Sequence, residues 1–280
     1  ESDRRGPLAG RAPSARAVRR RGYAAPGVVV GRDRGARAVT RSPARAPYYL
    51  LRPRLWGCRS LSAIDSRVMI SRRHGYAYLR IPKAANSTVL GTLLAAFPEP
   101  GLDPADIEQA KTAATHYSDL ALSEALRARR LFTFTVVRDP CARALAAYLD
   151  KIERPGSVRR RFAERVAGHD GGQAGFRAFC RYLARGGEAE NAHWMRQTRL
   201  LRVADRIDCI ARVETLNSGL SAILARIGGT APEQEVTRRG PEETGAGARL
   251  ADYLDDECRT LLARVYAPDF ARFGYDPPAP

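Results

Sequence analysis

Ten residues, Ile81-Pro82-Lys83-Ala84-Ala85-Asn86-Ser87-Thr88-Val89-Leu90, hold the densest chemistry in the chain. A β-leaning run from Tyr76 to Ile81 leads into them, and Val89, Leu90, Leu93, Leu94 and Phe97 behind them recur at helical spacing. A strand, a short loop and a helix start aim the helix's orphan N–H groups and its positive end at one point. Lys83 adds a full charge there, and Ser87 and Thr88 add hydroxyls. The expected result is a phosphate or sulfate cradle made of Pro82, Lys83, Ala84, Ala85, Asn86, Ser87 and Thr88.

A second junction repeats the geometry. Leu131 to Val137 reads as a buried central strand and ends in Arg138-Asp139-Pro140. Asp139 suits the cap and Pro140 the first turn of a helix carrying Arg143, Leu145, Tyr148, Leu149 and Ile152. Arg138, at the strand's carboxyl end, is placed to bind a second phosphate on the same sheet edge.

A nucleoside triphosphate fits the cradle poorly. The loop that wraps triphosphates needs glycines and a hydroxyl directly after its Lys. Here no Gly lies between Arg80 and Leu90, and Ser87 and Thr88 follow Lys83 by four and five residues. No acidic metal partner stands out on a following strand. The choice of Lys is itself informative. The chain has three Lys (Lys83, Lys111, Lys151) among 47 basic residues, so it departs from its Arg habit inside this loop. An ammonium is a compact point charge, suited to one developing charge rather than to a planar fork.

The elements that position these junctions read as an α/β fold. Val68-Met69-Ile70 and Tyr76–Ile81 flank Arg73-His74-Gly75 as a hairpin. The cradle helix runs to about Phe97, stopped by Pro98 and Pro100. A polar connection is expected up to His116, then a helix from Ser118, as its cap, to Arg127. Further helices are expected around Phe176–Leu183, over Leu216–Ile227 ended by Gly228-Gly229, and as one final helix from Leu250 to Val265. Ile207–Val213 reads as a strand and 230–247 as a surface loop. Strands alternating with helices imply a mainly parallel sheet in a three-layer sandwich, with ligands at the strand carboxyl ends.

Bulk properties bound the rest. The 280 residues, 44% hydrophobic and 28% charged, suit one large α/β domain. Fifteen Arg against Glu1, Asp3 and Asp33 give residues 1–60 a charge of +12, leaving +5 of the net +17 for residues 61–280. The basic excess thus lies mostly in an Arg-, Ala-, Gly- and Pro-rich leader, expected to be disordered over residues 1–47, ahead of a domain at 48–280. No nucleic-acid partner is expected from it. No apolar run approaches the ~20 residues of a membrane span. Five widely spaced cysteines (Cys58, Cys141, Cys180, Cys209, Cys258) without a CxxC argue against a zinc site and read as buried or idle thiols.

At this point the chain resembles the PAPS-dependent sulfotransferases of the carbohydrate ("family 2") type. Pro82-Lys83-Ala84-Ala85-Asn86-Ser87-Thr88 resembles their 5′-phosphosulfate loop, and Val137-Arg138-Asp139-Pro140 with Arg143 and Tyr148 their 3′-phosphate motif. His193-Trp194-Met195-Arg196-Gln197, Asp208 to Leu216, and Tyr266-Ala267-Pro268-Asp269-Phe270 with Phe273-Gly274-Tyr275 resemble three later segments in the same order. The chain departs from the pattern at Ala146, where Ser is usual eight residues after the Arg, at Arg196 in place of Pro, and at Ala211 in place of Gly. Losing the Ser removes one hydroxyl contact, worth ~1 kcal/mol to a neutral partner.

The resemblance implies a P-loop-like fold, the donor 3′-phosphoadenosine-5′-phosphosulfate (PAPS) and sulfuryl transfer to a hydroxyl or amine, most readily of a carbohydrate, with no metal required. Lys83 and the helix N-terminus then stabilise charge on the leaving phosphate, and Arg138 holds the 3′-phosphate. Arg212, Arg238 and Arg239 are further candidates for that phosphate or for an anionic acceptor. The acceptor needs a general base, for which His suits neutral pH. Of the four His, His74 in its turn and His169 in a Gly-rich loop read as solvent-facing, and His193 as structural or acceptor-side. His116, between the cradle and the Arg138 strand, is the candidate base, as related enzymes carry a catalytic His there. Two rivals stay open: a magnesium-dependent nucleotide kinase, and a degenerate anion-binding member for which Ala146 is the motive. A cytoplasmic enzyme of bacterial origin and a Golgi-lumenal domain lacking an upstream anchor both fit.

Overall fold

In the computed structural model, residues 45–56, 58, 60–162, 172–228 and 245–279 are described. Residues 1–44 of the expected leader, the loop of 230–244, His169, Arg238 and Arg239 lie outside them. Four strands form one sheet in the order β1 (Val68–Ser71), β2 (Tyr76–Leu79), β3 (Phe132–Val137) and β4 (Cys209–Arg212). The β1–β2 hairpin is antiparallel, pairing Val68 with Leu79, while β2–β3 and β3–β4 are parallel, pairing Leu79 with Thr135 and Val137 with Arg212.

The helices used below are α1 (Asn86–Ala96), α2 (Ile107–Ala113), α3 (Leu122–Arg127), α4 (Pro140–Tyr148), α5 (Gly172–Ala184), α6 (Leu216–Gly228), α7 (Leu250–Tyr253), α8 (Asp256–Val265) and α9 (Ala267–Phe273). Side chains alternate across the pleat, so each strand feeds two cores. Tyr76, Tyr78, Phe134 and Val136 pack on one face with Val89, Leu90, Leu93 and Leu94 of α1 and with Leu220, Ile223 and Leu224 of α6. Ala77, Leu79 and Val137 pack on the other face with Tyr48, Tyr117, Leu200 and Phe273. Each Val or Leu so buried contributes roughly 1.5–3 kcal/mol. A third cluster ties α4, α5 and α8 together around Tyr148, Phe176, Phe179 and Leu262. The expected three-layer α/β architecture is what the strands and helices form. No helix among the described residues is long and apolar enough to cross a membrane.

Several local expectations need correction. The stretch before His116 contains α2, capped by Asp106 on the Gln109 N–H; its Ile107 and Ala110 are too few to show a period. Ser118 caps no helix. It lies in a tight turn, Tyr117–Asp119, while α3 starts at Leu122 with the Glu124 carboxylate on the Ala121 N–H. The final helix divides into α7 and α8, because Asp255 leaves the helix and caps α8 on the Cys258 N–H. His74 is half-buried, its ring 5.3 Å from that of Phe97. The five cysteines are free, three of them buried.

Candidate functional site

The loop between β2 and α1 solves the absence of glycine by placing two other residues in the left-handed region, Lys83 at φ 68° and Ala85 at φ 52°. Each costs an L-residue roughly 1–2 kcal/mol, so the surroundings must impose the turn. Two arginines of the second junction do so. Arg143 Nε donates to the Pro82 carbonyl at 2.9 Å and Arg138 Nη1 to the Lys83 carbonyl at 3.2 Å. With these carbonyls drawn to the arginines and the first-turn N–H groups of α1 lacking helical acceptors, the loop is a donor-rich cradle. The buried Oδ1 of Asn86 has no hydrogen-bond partner.

Arg143 reaches further. It is 1% exposed and also donates from Nη1 to Met195 O and from Nη2 to Ala192 O, at 2.8 and 3.0 Å. The same segment is fixed from the chain's end. Tyr266 Oη donates to Trp194 O at 2.6 Å, and the Asp269 carboxylate accepts from the N–H groups of Gln197 and Thr198 at 2.7 and 2.8 Å. The Gln197 amide in turn pairs with both backbone groups of Arg138, at 3.0 and 2.8 Å. Four of the sequence segments therefore form one hydrogen-bonded frame around the cradle. Arg212 adds the fifth: at the end of β4, beside the end of β3, its Nη2 donates to Phe273 O and Gly274 O, at 2.5 and 3.1 Å. Ala146 is buried in the α4–α5–α8 core.

Lys83 extends its ammonium to Asp150, with Nζ 2.5 Å from Oδ2. Asp150 and Lys151 lie on a widened π-type turn, Leu149–Glu153, that continues α4, and Lys151 Nζ reaches the same oxygen at 2.9 Å. Burial would raise the Asp150 carboxyl, but hydrogen bonds from the two ammoniums outweigh it and hold the group at about 2. Burial lowers the Lys83 ammonium by more than Asp150 restores, with Lys151 and Arg138 adding to the effect. The remaining lysine is also here: Lys111 of α2 donates to Ser87 Oγ at 3.1 Å. All three lysines of the chain thus surround one loop. That signal was available in the composition but was read only for Lys83; Asp150, Lys111 and Lys151 have no motif of their own.

Two histidines bear on proton transfer. His116 lies beyond β1, its Nδ1 2.7 Å from Val68 O. A carbonyl can only accept, so Nδ1 carries a proton, and Nε2 is the ring nitrogen left for another partner. Val68 faces Leu79 at the carboxyl end of β2, which puts His116 on the right sheet edge but about two strand spacings, roughly 10 Å, from β2. His193 is built alike. The Asn191 Oδ1 accepts from the His193 backbone N–H at 3.0 Å and from Nδ1 at 2.8 Å, again sparing Nε2. Burial, with the charges of Lys151, Arg67, Lys83 and Arg143 around it, pushes this imidazole down to about 3, so it stays neutral.

A cleft of about 430 Å³ lies elsewhere, at the start of β3, where Arg52, Arg54 and Arg129 close on Asp205.

Comparison with known proteins adds an independent line. The profile described as "Sulfotransferase family" matches residues 66–276. The chain is similar to carbohydrate sulfotransferase 14 of Danio rerio, 28% identical over 241 residues, covering 75% of this chain and 62% of that relative's length. No solved structure matches the chain.

Proposed function

The chain belongs to the sulfotransferase family, and from that membership we propose that it transfers the sulfuryl group of PAPS to a hydroxyl of a carbohydrate-type acceptor. The observation that carries this reading is the bond from Arg138 to the Lys83 carbonyl. It joins the two strand-end junctions, each a candidate phosphate holder, into one site, and a bisphosphorylated adenosine donor demands two such holders. The similarity to a relative named as a carbohydrate sulfotransferase supports the acceptor class.

When bound, the donor supplies an electrophilic sulfur on a phosphate leaving group. The residues of the chain do the rest. Pro82 to Thr88 and the start of α1 hold the 5′-phosphosulfate, with the Asn86 Nδ2 as an additional donor. Lys83 neutralises charge on the leaving phosphate oxygen. Arg138 and Arg212, at adjacent strand ends, hold the 3′-phosphate. His116 takes the acceptor proton at Nε2. His193 is the second candidate, since Asn191 likewise spares its Nε2, but an imidazole pushed down to about 3 accepts a proton weakly at neutral pH, which leaves His116 first.

Calorimetric titration with 3′-phosphoadenosine-5′-phosphate (PAP) tests the reading. Wild type should bind, and Lys83→Ala and Arg138→Ala should bind at least tenfold more weakly. No heat with wild type, or magnesium-dependent ATP turnover in its place, would sink it.

A further inference from the structure

The ammonium assigned to the leaving phosphate is already held by a carboxylate. We propose that Asp150 and Lys151 are positioning residues for Lys83: Asp150 holds the Lys83 ammonium and releases it to an incoming phosphate-class anion while keeping Lys151 as its counter-ion. The proposal rests on the sulfuryl-transfer reading for its purpose, but its contacts stand independently.

Three observations carry it. First, one carboxylate oxygen serves two ammoniums, at 2.5 and 2.9 Å. Either lysine can leave without stranding the carboxylate, and stranding a half-buried charge is what makes ion-pair release costly. Second, consecutive residues on a regular α-helix point in different directions. Lys151 nevertheless reaches the Oδ2 of Asp150, and it does so on the π-type turn, Leu149–Glu153. Such turns are frequent at functional sites. Third, the residues facing Asp150 are lysines in a chain with three Lys among 47 basic residues. A guanidinium would grip the carboxylate through two parallel bonds, whereas an ammonium makes a single-point contact and can exchange it. Burial of Lys83, with Lys151 and Arg138 close by, adds to the tendency of its ammonium to accept an anion.

Neutralising any carboxylate beside an anion site eases anion binding through its field, so the hand-over is read from the Lys83 signal together with the affinity. If Asp150 competes with the anion for Lys83, neutralising it tightens anion binding. If Lys151 relieves Asp150, removing Lys151 weakens it.

The test uses the full chain labelled with 15N-lysine, whose three side-chain signals can be assigned by replacing Lys111 and Lys151 in turn. PAP is titrated in one arm and inorganic pyrophosphate in another. Asp150→Asn should shift the Lys83 signal before any ligand is added, and either anion should move the Lys83 signal in wild type while Lys151 stays close to its starting position. The dissociation constant should fall roughly three- to tenfold in Asp150→Asn and rise by a similar factor in Lys151→Met. An unmoved Lys83 signal in Asp150→Asn, or weaker anion binding by that variant, overturns the proposal. If Asp150→Asn does not fold, Lys151→Met decides alone, and unchanged affinity overturns it. Should wild type take up pyrophosphate with the Lys83 response but ignore PAP, the sulfotransfer reading fails and the hand-over of Lys83 stands.

Discussion

Arg143 Nε lies 2.9 Å from the Pro82 carbonyl, across 61 residues of sequence, and the same guanidinium satisfies Ala192 and Met195. A fully buried guanidinium thus acts as the joint between the Pro82–Thr88 loop, α4 and the His193–Gln197 segment. Its charge survives burial through fixed carbonyl dipoles and the neighbouring Asp269 and Glu188.

Arg143→Lys should therefore be severely destabilising although it keeps the charge. One ammonium cannot reproduce a fork to three carbonyls, and each carbonyl left unpaired costs about 1–3 kcal/mol. Urea unfolding should show a loss above about 2 kcal/mol, with weaker PAP binding in whatever remains folded.

Ala85→Gly should stabilise. The residue sits at φ 52°, and the relief of left-handed strain should exceed the entropy added to the unfolded chain, by about 0.5–1 kcal/mol. Ala85→Val should do the reverse by more. Denaturant midpoints at equal m-value decide the matter.

His193 should confer acid sensitivity well above the carboxylate range. Its folded value near 3 lies below the ordinary 6.5, so between these the unfolded chain binds the proton and the folded protein does not. Stability is full above pH 6.5 and declines as pH falls toward 3, by at most about 1.4 kcal/mol per pH unit and less because the ring is not wholly buried. Melting temperature against pH should flatten in His193→Gln.

His116→Ala and His193→Ala should separate the two proton acceptors. The true base should lose about 10²–10⁴-fold in turnover while PAP affinity holds within about twofold. Equal, small effects from both would remove His from the mechanism.

Asp269→Asn should test the frame from the chain's end. Its carboxylate accepts two backbone N–H groups, and an amide presents one oxygen and one opposing donor. A loss of about 1–3 kcal/mol is expected, and Gln197 should loosen its grip on Arg138, which PAP titration would register as weaker binding.

The local chemistry of the chain was legible in order. Hydrophobic runs of period two and 3.6 placed the β1–β2 hairpin, β3, β4, α1, α4 and α6, and Asp139-Pro140 marked the start of α4 through its cap, because these signals act between near neighbours. What failed was also local in cause: α2 lacks an apolar face, and Asp255 splits a helix that its hydrophobic spacing would continue.

The loop Pro82–Thr88 could be picked out as a candidate anion cradle from its Lys, its hydroxyls and its place between strand and helix. How a loop without glycine takes a glycine's conformation was not readable, since the arginines that hold the Pro82 and Lys83 carbonyls in that loop, Arg143 and Arg138, lie more than fifty residues away. Asp150 and Lys151 were invisible for the same reason. A charge acquires a role only when folding removes water and brings a partner within a few ångströms, and no spacing along the chain encodes a contact across 67 residues. The sequence by itself determined which groups are candidates for binding an anion and on which strand ends they stand; the tertiary structure alone decided which groups hold them there.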